Sequence, residues 1–535
     1  MNLTVAHNRT RGRVIVIGAG IAGLASALQL AQAGFSVSVF EQHQHVGGKI
    51  RTFPSSAGPI DAGPTVLTMR PVFEELFKSV GEKLDQHLQL VRQKILARHW
   101  WPDGTSLDLF DNYESSQEAI YQFAGLKGFR EFQAFMQRTK RLFDAFEAPM
   151  MLTAEPSQWN LTKHVIKHPS LIKDMAPLQS LAKTLAGQFS DPRLAQLFGR
   201  YATYVGGSPY QSPALLSLIW QAEARGVWKI QGGMHALPST LKKLAQERGA
   251  QFHLNTKVKR LITDNSTMNG SAVKGVLLEN GDQHRADIVL FNGDPRALAT
   301  GHLGDPARAV AQNTVKEARS LSARVWSFEA KIEGPDLVHH NVFFGQDPRQ
   351  EFDDIKKGRM PEDPTIYICA QDRGTNKAYP DMERFEIILN APSIDMAHTL
   401  EQEFEKCKTL TLKTLARFGL RFTPEPDKSA LTTPTQFAQL FPASEGSLYG
   451  QSPHGMTAAF RRPTCRTAIS GLYLAGGGAH PGAGVPMATL SARHAVEAIL
   501  KDQTSMSPSH QMGTHGGISM ASVTEQTAQF RSSDS

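Results

Sequence analysis

The chain has 535 residues, 41% hydrophobic and 20% charged, with a formal net charge of +7. That length exceeds one ordinary domain and predicts two or three lobes with sizeable cores, so no disulfide or metal staple is needed. The charge reads as a mildly basic surface, with attraction to anionic lipid headgroups as the sharper alternative; with no recognised motif and no long basic run, it argues against nucleic-acid binding.

The N-terminal MNLTVAHNRTRGR is polar and lacks the apolar core and cleavage site of a signal peptide. A βαβ pattern follows: RVIVIG is a near-continuous apolar run, as in a buried parallel strand. Ile21 to Ala33 carries small and apolar residues at helical spacing, Gly34 is a plausible C-cap, and FSVSVFE alternates as a second strand. Residues 93–225 turn aromatic, amphipathic and Pro-punctuated, which predicts a helical lobe. Residues 226–300 return to helix and strand, 301–465 read as mixed strand and helix, and GLYLAGGG reads as a strand ending in glycines. From about Asp502 the chain is rich in Ser, Thr, Gln and Met without apolar periodicity, which predicts a disordered tail over 502–535. Cys369, Cys407 and Cys465 are far apart with no CxxC pair, which fits a reducing compartment and argues against a zinc or iron–sulfur site. No window of about 20 apolar residues offers a bilayer span.

The chemistry-bearing motif is GxGxxG at Gly18, Gly20 and Gly23, set between strand and helix, with Glu41 ending the next strand. Gly18 permits the tight turn, Gly20 lets backbone approach a pyrophosphate, and Gly23 lets the helix pack closely on the strand. The helix N-terminus offers free N–H groups to phosphates. Glu41 can accept hydrogen bonds from ribose hydroxyls and would repel a 2′-phosphate, which disfavours NADP. FAD and NAD both fit this motif. QHQHVGGKIRTF adds Gly47, Gly48, Lys49 and Arg51, paired glycines beside cations that suit a second approach to a diphosphate or flavin.

With these motifs the sequence resembles the FAD-dependent amine-oxidase-like superfamily and, within it, the bacterial phytoene-desaturase family. The resemblance rests on VIVIGAGIAGLASALQLAQAGFSVSVFEQHQHVGGKIRT, DAGPTVLTMRPVFEELF, FGRYATYVGGSPYQSPALLSLIWQAEARGVWKIQGGMHALPSTL and GLYLAGGGAHPGAGVPMATLSA, and covers nearly the whole chain except both termini. ARHWWPDGTSLDLF and DPRLAQLFGRYATYVGG are similar to 1-hydroxycarotenoid 3,4-desaturases, also called methoxyneurosporene dehydrogenases. The resemblance implies an α/β fold: a discontinuous Rossmann-like FAD-binding domain of glutathione-reductase type (10–92, 226–300, 466–501), an inserted mixed α+β substrate domain (301–465) and a helical membrane-facing lobe (93–225). It implies that Gly18, Gly20, Gly23 and Glu41 hold the ADP half of FAD. Gly48, Lys49 and Arg51 would lie along the diphosphate and flavin, and Val258 would meet adenine through its backbone. Gly477, Pro486 and Met487 would close over the isoalloxazine, with a helix beginning near Val485 aimed at it.

The implied activity is desaturation of a carotenoid, a hydride passing to flavin N5 and a proton leaving the neighbouring carbon. Such chemistry asks for a dry tunnel and accurate placement, not a metal or nucleophile. No catalytic residue is assigned. His164 and His168 in HVIKH lack the Glu of HExxH and a third ligand, so they read as helix-surface histidines and no metal is expected. Arg98, His99, Asp103 and His480 are polar candidates near a tunnel, each read first as structural. HWW at His99 to Trp101, Trp220 and Trp228 could line a lipid-sized channel or fill core. A tertiary hydroxyl on the substrate would call for a buried hydrogen-bonding group. An insoluble substrate points to a cytoplasmic enzyme resting on the inner membrane, with residues 140–185 pressed on it, and with quinone or oxygen as electron acceptor. Three readings stand beside this one: a phytoene desaturase acting on earlier substrates, a flavin amine oxidase or protoporphyrinogen-oxidase-like enzyme, and an FAD-bearing carotenoid-binding subunit without activity.

Overall fold

The structure, a computed structural model, describes residues 11–267, 270–375, 378–394 and 400–506. Its first strand, β1 (Arg13–Ile17), leads into α1 (Ile21–Gln32) and β2 (Ser36–Phe40). β1 is central, paired in parallel with β2 on one side and with Ile288–Phe291 on the other. Gln251–His253 and Leu472–Leu474 complete a five-stranded parallel sheet. Parallel neighbours need long crossovers, so the sheet gathers strands from the beginning, middle and end of the chain.

The two-residue period of a strand divides this sheet's side chains between two cores. Val14, Val16, Val37, Val39, Ile288 and Leu290 face α1, the helix Ala236–Glu247 and the helix Val485–Met506. Ile15, Phe40, Val289, Phe291, Leu472 and Leu474 face an antiparallel meander of Val258–Thr267, Gly270–Leu278 and Gln283–Arg285. β1 is therefore apolar at consecutive positions because both of its faces are covered.

A second, eight-stranded sheet carries Ser322–Glu333, Glu383–Ala391, Ile366–Ala370 and His340–Phe343 as neighbours. Its far edge corrects one sequence expectation. Residues 95–110, assigned above to a helical lobe, form the strands Ile95–Trp100 and Ser106–Phe110, the first pairing in parallel with His340–Phe343. The intervening Asp103–Gly104, with Gly104 at φ 84°, is a hairpin signal that the aromatic content masked. Helices follow as expected, beginning with Tyr113–Phe146, capped by Asn112 and broken at Gly125. The final helix, Val485–Met506, runs past the tail boundary expected at 502, and residues 507–535 lie outside the described ones. Among the described residues no helix is long and apolar enough to cross a membrane.

Candidate active site: two cavities that meet at the last helix

A cavity of about 420 Å³ lies over the C-terminal ends of β1, β2 and Ile288–Phe291. Gly18 turns the chain out of β1 at φ 96°, its N–H donating to Phe40 O at 2.8 Å. Gly18 and Gly20 line the cavity and Gly23 stands behind them. A Cβ on Gly23 would fall 2.1 Å from Gly18 O and 2.7 Å from Asn292 Nδ2. Asn292 is the pivot of this corner, and sequence reasoning missed it. Its Nδ2 donates to Gly18 O at 3.1 Å, and Cβ atoms on Gly20 or Gly476 would touch its amide. Its signal was a polar residue directly after the apolar strand IVLF.

Glu41 is buried at the cavity wall, its carboxylate accepting from the N–H groups of Ala19 (2.7 Å) and His43 (2.9 Å). Val258, Gly48, Lys49 and Gly477 also line this cavity. Gly48, at φ 58°, comes so close to Gly20 that a Cβ would sit 3.1 Å from its Cα. Lys49 Nζ donates to Leu448 O at 2.5 Å. Burial lowers its pKa to about 8, against the pull of Asp294 and with help from Arg319 and Arg462. Arg51 instead points away: its Nη2 donates to Thr432 Oγ1 at 3.1 Å and its guanidinium lies over Phe437, outside either cavity.

A second cavity of about 460 Å³ is walled by Tyr204, Tyr210, Phe344, Phe352 and Tyr367 among others. Ile388, Asn390, Tyr449, Gly484 and Val485 line both cavities, so the two meet where the last helix begins. That N-terminus brings unpaired N–H groups and partial positive charge to the junction. Pro486 lines the second cavity rather than the first, and Met487 lines neither. Alternation along Glu383–Ala391 places Glu386, Ile388 and Asn390 on the cavity face. Glu386 is fully buried, with no hydrogen-bond partner on either carboxyl oxygen among the described residues; burial pushes its pKa well up, Asp61 adds to this and Arg51 opposes it. It lines the first cavity. A Glu amid the apolar run of this strand was the signal for it.

Behind the second cavity Glu223, 2% exposed, accepts from Tyr201 Oη at 2.9 Å and from Tyr204 Oη, with Arg200 Nη2 at 3.6 Å. Burial works to lower the Arg200 pKa, but Tyr204, Tyr201 and Glu223 outweigh it and hold the guanidinium charged.

The other polar candidates lie elsewhere. Arg98 pairs with Asp108, and Asp103 with Arg193. His99 is buried and donates to Leu107 O, and His480 donates to Thr153 O. None of these four lines either cavity. His99, Trp101, Trp220 and Trp228 are buried, Trp101 and Trp220 within an aromatic core with Phe132 and Phe198, and the HWW segment, Trp220 and Trp228 are absent from both cavity walls. His168 Nδ1 donates to His164 O at the end of its helix. Cys369 stands beside His339 and His340, a juxtaposition the sequence spacing concealed. Both imidazoles are already engaged, His339 with Ala370 O and His340 with Tyr367 Oη.

A glycine-walled cavity at the carboxyl ends of a parallel sheet, meeting a second cavity, is the arrangement in which oxidoreductases of this fold class hold a nucleotide cofactor. The chain belongs to the flavin containing amine oxidoreductase family, whose profile matches residues 21–500. Within that family its place is with the carotenoid desaturases. It is 51% identical over 496 residues to a hydroxyneurosporene desaturase of Cereibacter sphaeroides, covering 92% of this chain and 99% of the relative. It is 30% identical to a 1-hydroxycarotenoid 3,4-desaturase of a Flavobacterium species, covering 91% and 99%. The cyclohexylamine oxidase of Brevibacterium oxydans shares the fold, with a TM-score of 0.56 at 17% identity over 92% of this chain and 99% of that one.

Proposed function

We propose that this protein is an FAD-dependent desaturase that introduces the 3,4 double bond into 1-hydroxycarotenoids such as 1-hydroxyneurosporene. The observation that carries this reading is the meeting of a nucleotide cavity with a separate, aromatic-walled cavity at Val485, in a chain whose relatives bear desaturase names. The cradle suits a dinucleotide: Gly20 and Gly48 leave room where side chains would intrude, and Lys49 supplies a cation. In this reading Gly18, Gly20, Gly23 and Glu41 hold the ADP half, Val258 lies at adenine, Gly48 and Lys49 follow the diphosphate, and Gly477 lies at the flavin. Arg51, turned toward Thr432, supports the cradle from behind through Phe437, and Pro486 serves the substrate side. When bound, the flavin supplies the hydride acceptor. The protein's own share is to exclude water from the junction, to orient the guest and to place the positive end of the last helix there.

The test is to incubate the purified, FAD-loaded protein with 1-hydroxyneurosporene. A red-shifted product with one further conjugated double bond is expected, and flavin-loaded protein that leaves the carotenoid unchanged but forms peroxide from amines overturns the reading.

Lys49 gives this cofactor assignment a pH signature. In the free protein Lys49 loses its proton as pH rises through about 8. A neighbouring diphosphate favours the cation, so the bound form keeps its proton to higher pH and binding takes up a proton above pH 8. FAD affinity should therefore fall as pH rises from 8 to 10, by up to about tenfold per pH unit. Titration by flavin fluorescence quenching measures this, and Lys49→Met should flatten the dependence.

The membrane-surface reading is supported by the distribution of exposed apolar groups. Of the eleven large apolar residues exposed among the described ones, five lie within 140–185: Leu152, Trp159, Ile166, Ile172 and Leu178, the last 97% exposed. Lys163, Lys167 and Lys173 are exposed among them, as on an interfacial face. His494 on the last helix donates to Met151 O at 3.0 Å and His480 to Thr153 O at 2.8 Å, tying this segment to the helix that starts at the junction. The wild type should float with anionic liposomes, and the triple variant W159E/I166E/L178E should stay with the soluble fraction while keeping its flavin.

A further inference from the structure

Resting on the reading above, we infer that the hydroxyl of Tyr449 is the group that recognises the substrate's tertiary alcohol, and that it sets the preference for hydroxylated over plain carotenoids.

The argument begins with the substrate. In 3,4-desaturation of a 1-hydroxycarotenoid, the carbon bearing the hydroxyl stands two bonds from the nearer reacting carbon. The reacting carbons must lie at the flavin, so the hydroxyl is held near the junction of the two cavities and not at the far end of the second. An alcohol taken out of water there needs a partner, because an unpaired buried hydroxyl costs on the order of 1–3 kcal/mol.

Most polar groups on the second cavity's wall are already committed. Tyr204 Oη donates to Glu223. Tyr367 Oη is shared between Thr65 Oγ1 at 2.8 Å and His340 Nδ1 at 2.7 Å. Thr365 Oγ1 donates to Glu351 Oε2 at 2.7 Å. Gln196 uses both ends, accepting from Trp101 Nε1 and donating to Gly345 O. Tyr449 differs: it lines both cavities, and among the described residues its hydrogen bonds run through its backbone N–H and carbonyl, not its hydroxyl. Burial raises its pKa to about 12, with Glu386 adding, so it stays a donor at neutral pH. Asn390, also at the junction, spends its Nδ2 on Glu351 at 3.1 Å and leaves its carbonyl oxygen as an acceptor.

The Tyr449 ring is held in place without help from its hydroxyl. Its N–H donates to Ser320 Oγ at 3.1 Å and its carbonyl accepts from Arg462 Nη2 at 2.9 Å. Gly206, at φ 73°, lies flat against the ring; a Cβ there would come within 2.5 Å of Tyr449 Cδ2. A ring fixed through its own backbone, at the wall where the two cavities meet and with its hydroxyl uncommitted among the described residues, suits recognition more than packing.

The deciding experiment compares kcat/KM for 1-hydroxyneurosporene and neurosporene in FAD-loaded wild type and Tyr449→Phe. The ratio of the two should fall by about 10–100-fold in the variant, with flavin content and flavin spectrum unchanged. Gly206→Ala, which displaces the ring but keeps the hydroxyl, should lower the same ratio. A Tyr449→Phe enzyme that keeps the wild-type ratio overturns the inference alone. A flavin-loaded wild type that oxidises neither carotenoid overturns the functional reading, and the inference with it.

Discussion

Gly23→Ala is expected to give a protein that purifies without flavin. Alanine is the better helix former by about 1 kcal/mol, so local propensity would favour it. The close approach decides otherwise. The new methyl would fall 2.1 Å from Gly18 O, a backbone atom that the turn at Gly18 holds in place, and 2.7 Å from Asn292 Nδ2. Neither neighbour is the free end of a flexible side chain, since Asn292 is itself bonded to Gly18 O. The start of α1 must therefore move off the sheet and withdraw its N–H groups from the cavity. Affinity for FAD should fall by at least about 100-fold, because both the phosphate site and its geometry are lost. Gly187→Ala is the control: it is an exposed helical position where a Cβ meets nothing within 4 Å. That variant should hold flavin normally and gain a few tenths to about 1 kcal/mol in stability. Absorbance near the flavin bands and a urea titration separate the two outcomes.

Glu223→Leu should be the most destabilising single change in the buried cluster behind the second cavity. It removes the acceptor for Tyr201 and Tyr204 and the counter-charge of Arg200, whose side chain is only 11% exposed. Breaking a buried ion pair from one side leaves the other charge uncompensated and costs about 3–5 kcal/mol. Glu223→Gln keeps hydrogen bonding and should cost less. The double variant R200L/E223L removes both charges and should recover much of the loss. Denaturant midpoints of the four proteins test this, and a Glu223→Leu midpoint equal to wild type would show that the cluster carries no stability.

Local pattern made the nucleotide half of the molecule legible. RVIVIG, the GxGxxG turn and the alternating FSVSVFE are short-range features, and the structure turns them into β1, α1 and β2. The helix start near Val485 came from the family resemblance, and the structure has a helix beginning there. Where aromatic content was weighed above turn chemistry, at 95–110, the expectation failed: an Asp-Gly hairpin set the edge of the second sheet. The tryptophans illustrate the same limit. Large aromatic rings bury well in any core: Trp220 packs against Phe132 and Phe198, Trp101 against Phe123 and Phe344, and neither lines either cavity.

By itself the sequence determined that this chain builds a βαβ corner, that glycines at fixed spacing form its turn, and that Glu41 stands at the end of its second strand. Those are consequences of backbone sterics and of side-chain period over a few tens of residues. Tertiary structure alone decided which distant residues complete the corner and where the two cavities join. Asn292 reaches Gly18, Lys49 reaches Leu448, Glu386 comes to the first cavity and Tyr449 to the junction, each from a separate stretch of chain. The physical reason is that a parallel sheet assembles its strands through long crossovers. Neighbours across such a sheet share no sequence proximity, and their contacts exist only once the whole core has closed.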